Sequence, residues 1–144
     1  MNSGCFGSGF CHSLFFLEKI MDNLIEEFYL QAIETLLWSE CDPDTMESLN
    51  NDYDITDVSE ETKKELKEQC RDFVVNNFEL LCQTPEEYTF ESAGHDFALT
   101  RNGHGAGFWD RGLGAIGKAL TEQCKAYGSF YLYAGDDGRL YHHG

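Results

Sequence analysis

Basic residues are scarce in this chain. Ten Lys and Arg stand against 26 Asp and Glu, for a net charge of −16 over 144 residues. A surface of that sign repels phosphate backbones and anionic lipid, so direct binding to nucleic acid or to a membrane surface is not expected. No apolar run reaches the roughly 18 residues of a membrane-spanning helix. There is no basic segment followed by a long apolar stretch at the N-terminus, as a secretory signal would need. The six cysteines include no CxxC pair. Cys5 and Cys11-His12 form a close set without a second half, so neither a zinc site nor a disulfide framework is expected. Cys70, Cys82 and Cys124 fall in helical patterns and read as small core residues. GxSxG, HExxH and the Gly-Lys-Ser/Thr of a phosphate loop are all missing, and no cofactor is called for. Asp52-x-Asp54-x-Thr56 resembles the opening of a calcium loop. Asp57 then stands where the glycine belongs and Lys63 where the last glutamate belongs, so that reading fails.

What is present suffices for one globular domain. Apolar residues make up 42% and aromatics 14%. A chain of this length buries roughly 70% of its unfolded surface. The charge is unevenly placed. Residues 93–144 balance five acids with five bases, whereas residues 21–92 carry 20 acids and 4 bases. Residues 1–20, rich in Gly, Ser and Phe, read as a tail or a non-native extension ahead of Met21. Residues 21–144 read as a single α+β domain, with an acidic helical part (21–92) and a neutral, β-rich part (93–144).

Apolar side chains at Leu24, Ile25, Phe28, Tyr29, Ala32, Ile33, Leu36 and Leu37 follow the period of a helix over 22–40, stopped by Pro43. Residues 41–58 read as a polar loop. Ser59 is a good N-cap, and Glu60 and Glu61 suit the first turn of a second helix running to Cys82. Beyond it the period drops to two at His95, Phe97, Leu99 and Arg101. Asn102-Gly103 is a hairpin-turn signal, with His104–Trp109 as the return strand. Asp110 is placed to cap a helix from Gly112 to Ala126. A second hairpin turns at Gly135-Asp136-Asp137-Gly138. The expected order is therefore two acidic helices followed by β-hairpin, helix and β-hairpin, with a small, mainly antiparallel sheet.

Two features carry functional expectations. The first is the Gly-rich segment 94–114, which gathers His95, Asp96, Arg101, Asn102, His104, Trp109, Asp110 and Arg111. Six glycines allow close backbone approach, as around bound phosphate. In the hairpin register Arg101 opposes His104, and a histidine beside a guanidinium is held neutral, fit to act as a base or ligand. This would be a small ligand-binding or hydrolytic module. The plainer alternative is a tight hairpin whose polar groups satisfy one another while Trp109 fills the core. The second feature is the acidic array: Glu26, Glu27, Glu34, Glu47, Asp52, Asp54, Asp57, Glu60, Glu61, Glu65 and Glu68. Helical carboxylates at this density approach the charge spacing of a nucleic-acid backbone. Such a surface fits a basic protein, with association that is fast and salt-sensitive. The same acids also suit an ordinary solvated helical face.

One long segment, His95-Asp96-Phe97-Ala98-Leu99-Thr100-Arg101-Asn102-Gly103-His104-Gly105-Ala106-Gly107-Phe108-Trp109-Asp110-Arg111-Gly112, carries a resemblance, together with Leu37-Trp38-Ser39, Asp52-Tyr53-Asp54-Ile55 and the tyrosine-rich stretch Tyr131–Gly138. It resembles a family of small uncharacterised proteins encoded by tailed phages, prophages and plasmids. The likeness covers about residues 28–142. Ala98 departs from the family pattern, which often has an aromatic there. The resemblance implies a bacterial cytoplasm and a mobile-element setting. In that setting the acidic surface suits a non-enzymatic accessory protein that binds a basic host protein, such as a nucleic-acid-binding or defence component.

Overall fold

A computed structural model describes the backbone of residues 3–143 and the side chains from Phe16 onward. Cys5, Cys11 and His12 therefore lie outside the described side chains. Five helices precede one hairpin: α1 (Ser3–Ser39), α2 (Glu60–Asn76), α3 (Phe78–Cys82), α4 (Phe90–Asn102), α5 (Ala115–Cys124), β1 (Tyr131–Ala134) and β2 (Leu140–His143). Helix and strand are both present, as the α+β expectation requires, but the balance is more helical than the sequence pattern suggested.

The expected stripe of α1 is the one buried. Ile25, Phe28, Tyr29, Ala32, Ile33, Leu36 and Leu37 face the core. The helix begins at Ser3, not at Asp22, so the backbone of the expected tail continues α1. Phe16, Leu17 and Ile20 on that extension are exposed, and burial starts at Met21 and Ile25. Ser59 caps α2 as anticipated, its hydroxyl oxygen accepting the Thr62 N–H at 3.2 Å. The second helix does not run unbroken to Cys82. Asn77 leaves the helical conformation and donates its Nδ2–H to the Phe73 carbonyl at 2.9 Å, ending α2 before the short α3 begins. Cys70 and Cys124 are core residues, but Cys82 is exposed.

The main correction concerns residues 95–109, which contain no hairpin. Residues 90–102 are the helix α4, capped by the Thr89 hydroxyl oxygen accepting from the Ser92 N–H. Ala93, Gly94, Phe97, Ala98 and Arg101 are buried at spacings i, i+1, i+4, i+5 and i+8, a helical face. The alternation of His95, Phe97, Leu99 and Arg101 was incidental to it. Gly103 does supply a left-handed residue (φ 69°), but as the C-cap of α4. Its N–H and that of His104 both return to carbonyls of the last turn, His104 to Leu99 at 3.1 Å, the glycine-terminated helix end. The expected return strand is loop and a single 3-10 turn at Phe108–Asp110. Asp110 caps that turn, accepting from the Gly107 N–H at 3.1 Å, and α5 starts later than expected, at Ala115.

The second hairpin forms where the pattern placed it. β1 and β2 pair antiparallel with Tyr133 opposite Tyr141 and Leu132 opposite His142. Val58 adds a single parallel bridge to Leu140. These make the only sheet among the described residues, two strands wide.

Phe28 (α1), Phe73 (α2), Phe97 (α4) and Phe108 meet at the centre, all fully buried. Ring centroids lie 4.5 Å apart for Phe73–Phe97 and 5.4 Å for Phe28–Phe97, within the range of favourable aromatic pairs. α1 crosses α4 closely at Gly94, where an added Cβ would sit 2.1 Å from the Phe28 carbonyl oxygen. Backbone occupies that space, so Gly94→Ala must push the helices apart. We expect it to cost about 2 kcal/mol or more. Gly103→Asn, at an open left-handed cap, should cost well under about 1 kcal/mol. Urea denaturation of the two variants checks the contrast.

Candidate binding groove

The eight residues singled out in segment 94–114 divide between the interior and the surface. Arg101 and Asn102, both 8% exposed, are structural. The Arg101 Nε–H donates to the Gly128 carbonyl at 2.8 Å and an Nη2–H to the Tyr127 carbonyl at 2.9 Å. Its guanidinium lies among the rings of Phe97, Phe130 and Tyr127, at 5.0, 5.3 and 5.9 Å. No carboxylate pairs with it among the described residues. Burial accordingly pulls its pKa below the usual arginine range. The Asn102 amide binds the Phe130 backbone in both directions, donating to the carbonyl at 3.0 Å and accepting from the N–H at 2.7 Å. The pair thus ties the end of α4 to the start of the hairpin. His104 is elsewhere, its Nε2 3.1 Å from the Glu40 carboxylate. Arg101 and His104 therefore share no face, contrary to the hairpin expectation. Trp109 is 55% exposed, and Phe108 takes the core position that the plainer alternative gave to it.

His95, Asp96 and Arg111 do come together. Asp96 is 1% exposed. Its Oδ1 accepts from Arg111 Nε at 2.9 Å and Nη2 at 2.8 Å, and its Oδ2 from the Tyr88 hydroxyl at 2.5 Å. The hydrogen bond to Asp96 raises the Arg111 pKa. Burial, and then Asp96 itself, push the Tyr88 hydroxyl well above the ordinary tyrosine range. Asp110, at 3.7 Å from Arg111 Nε, is a weaker partner. One helical step back, His95 Nδ1 lies 2.9 Å from the Thr35 hydroxyl. That hydroxyl also lies 2.7 Å from the Gln31 carbonyl, to which it can only donate. Its proton being committed there, the Nδ1–H of His95 is the donor to Thr35. Nε2 is left as the acceptor of the neutral ring and has no partner among the described residues.

These side chains line a run of three clefts along α1. The first, of about 470 Å³, is bordered by Glu34, Trp38, Tyr53, Asp54 and Ile55. The second, about 520 Å³, lies over Tyr88, Glu91, Asp96 and Arg111. The third, about 410 Å³, is bordered by Leu24, Glu27, Glu86, Phe90 and Glu91. The first and second share Gln31 and His95, and the second and third share Tyr88, Thr89 and Glu91. The clefts are therefore successive stations of one groove. From Leu24 to Trp38 it follows about 21 Å of helix.

Charge separates this groove from the rest of the acidic part. All four bases of residues 21–92, Lys63, Lys64, Lys67 and Arg71, lie on α2, which also holds five acids. Residues 21–59 hold eleven acids and no base. Of the acidic array, Glu26 pairs with Lys67, Glu60 with Lys63 and Glu65 with His142. Asp54 and Asp57 cap a 3-10 turn at Ile55–Asp57. Glu47, Asp52, Glu61 and Glu68 are exposed. The groove carboxylates Glu27, Glu34, Asp54, Glu86 and Glu91 are exposed and in no ion pair among the described residues. The Thr56 hydroxyl and N–H, donating to Asp54, hold its carboxyl below the usual range. Sequence reasoning named Glu27, Glu34 and Asp54 but missed Gln31, Thr35, Trp38, Tyr53 and Tyr88. Thr35, a polar residue amid the apolar stripe of α1, was the available signal. Among the described residues no group of three or more His, Cys, Asp and Glu is arranged to hold a metal ion, and no helix is long and apolar enough to cross a membrane.

Arg111→Met would leave the buried Asp96 with Tyr88 alone and should cost about 1.5–3 kcal/mol, the range for hydrogen bonds to a charged group. Chemical denaturation alongside the Asp96→Asn, Arg111→Met double variant measures the coupling. A pH effect follows from the tyrosines. Burial raises the pKa of Tyr29 to about 12 and pushes those of Tyr88 and Tyr127 higher still. The unfolded chain ionises them near pH 10. Their stabilisation is complete below that pH and is lost as pH rises toward the folded values. Tyrosinate absorbance and circular dichroism should therefore show these three ionising together with alkaline unfolding. Comparison with protein-family models, curated proteins and solved structures finds no match to this chain, so what the groove binds is read from its own chemistry.

Proposed function

We propose that this is a non-enzymatic binding protein whose groove along α1 takes a basic, extended segment of a partner protein. One observation carries the reading. Glu27, Glu34, Asp54, Glu86 and Glu91 stand along three connected clefts, and the single Lys or Arg lining them, Arg111, is already held by Asp96. A groove of one sign beside low-dielectric walls focuses its field on ligands of the other sign. At about 3.3 Å per residue, a 21 Å groove accommodates roughly six residues of extended chain. Tyr53, Tyr88, Phe90 and Trp38 supply apolar contact for the stems of long basic side chains, which bury readily against such surfaces. The acidic surface first read as helical faces is thereby narrowed to the groove, because bases of α2 pair with Glu60 and, across the helices, with Glu26 and Asp22 of α1.

In the mobile-element setting implied by the sequence resemblance, the partner is a basic host protein of the nucleic-acid-binding or defence type. The groove would occupy the surface on which that protein holds nucleic acid.

Charge reversal separates the groove from the general charge. In the variant Glu27→Lys, Glu34→Lys, Glu86→Lys, Glu91→Lys, affinity for a fluorescent octalysine peptide at low salt should fall at least about tenfold. Asp44→Lys, Glu47→Lys, Glu61→Lys, Glu68→Lys, the same number of reversals at exposed positions outside the three clefts, should change it by less than about threefold. Parent binding should also weaken steeply with added salt. Equal losses in the two variants would reduce the groove to undirected surface charge.

A further inference from the structure

We infer that the cleft at the Trp38 end of the groove is a recognition pocket for a guanidinium group, so that the bound segment presents an arginine there. The inference rests on the groove reading and assigns one position within it. Three features of the pocket agree. Trp38 is 53% exposed although its neighbours Leu36 and Leu37 are buried. Its indole forms one wall with Tyr53 nearby, and flat aromatic faces attract and stack planar cations. Carboxylates flank the wall on two elements, Glu34 from α1 and Asp54 from the 3-10 turn. Asp54 is exposed and in no ion pair among the described residues, its carboxylate accepting from the Thr56 hydroxyl and N–H and from the N–H of Asp57 within the turn.

The third feature is the hydrogen-bonding sense of the pocket. The Thr35 hydroxyl proton is spent on Gln31, which makes His95 Nδ1 the donor to Thr35 and, in the neutral ring, leaves Nε2 as an acceptor. His95 stands beside Trp38, ring centroids 6.0 Å apart. The two carboxylates, with Nε2 of the neutral His95 ring, are therefore the acceptors of the cleft, which Gln31, Trp38, Asn50 and Tyr53 complete. Guanidinium is a group that only donates, with five N–H bonds in a rigid plane. An ammonium also donates, but as a compact, strongly hydrated point it gains less from the indole face and from a forked pair of acceptors. The cleft, at about 470 Å³, has room for an arginine side chain with its stem along Leu37 and Ile55.

The test uses the whole chain carrying Trp109→Phe, so that Trp38 is the only tryptophan. Octaarginine and octalysine are titrated at equal ionic strength, read by Trp38 fluorescence and by peptide anisotropy. The expected result is a five- to tenfold preference, roughly, for octaarginine, with a change in Trp38 emission that octalysine does not produce. Two variants, Trp38→Leu and Glu34→Gln, Asp54→Asn, should each lower that preference to near unity while both peptides still bind. Asparagine caps turns about as well as aspartate, and Glu34 and Trp38 are exposed, so neither change touches the core. Glu27→Lys, Glu86→Lys, Glu91→Lys should weaken both peptides yet keep the preference. Equal affinity of the parent for the two peptides, or a preference that survives Trp38→Leu, overturns the pocket and leaves the groove standing. Failure of both peptides to bind the parent at low salt overturns the groove and the pocket together.

Discussion

The close crossing of α1 and α4 at Gly94 is the contact on which the remainder depends. With no side chain at that position, the α4 backbone lies against the Phe28 carbonyl. Phe28 and Phe97 can then reach each other and Phe73 in one aromatic centre. The same crossing sets the polar side of the two helices. Thr35 and His95 are within hydrogen-bonding distance only because the helix axes are that near. The hydrogen bond in turn orients the imidazole beside Trp38. Core packing and groove chemistry are thus two faces of one helix pair.

Two arginines ten residues apart show how position decides the role of a charge. Arg101 lies inside, satisfied by two carbonyls and three aromatic rings, and joins α4 to the C-terminal hairpin. Asn102 completes that junction by pairing with Phe130 as a strand would. Arg111 lies at the surface and covers the carboxylate of Asp96, which is inside. The pairing removes the groove's one guanidinium from play, and the potential of the groove is left to its carboxylates. The segment that looked most like a catalytic centre is therefore mostly joinery. Its contribution to a site is confined to His95, Asp96 and Arg111.

The division of acidic charge has a similar logic. α2 carries acids and bases together: Lys63 pairs with Glu60 on the same helix, and Lys67 reaches across to Glu26 of α1. Residues 21–59 and 77–92 carry acids alone. Unpaired carboxylates along a groove repel one another, a modest cost to the fold that suits a surface awaiting a partner of opposite sign.

Much of this was legible in the chain itself. The buried stripe of α1, the Ser59 cap, the C-terminal hairpin with its Gly-Asp-Asp-Gly turn and the neutral character of residues 93–144 all follow from local rules of period, capping and turn chemistry. Segment 90–109 was not legible in that way. His95 to Arg101 fits a strand period and a helix period at once, and Asn-Gly serves a hairpin turn or a helix end equally well. Only the demand that Gly94, Phe97 and Ala98 share one buried face against α1 selects the helix, and that demand comes from a partner sixty residues distant. The groove is legible only in three dimensions for the same reason. Acid content, sign and rough location are properties of the sequence. Which carboxylates are paired, and which line a common cleft with Trp38, Tyr53 and His95, depends on how α1 meets α4 and the loop beyond it, and tertiary packing alone decides that.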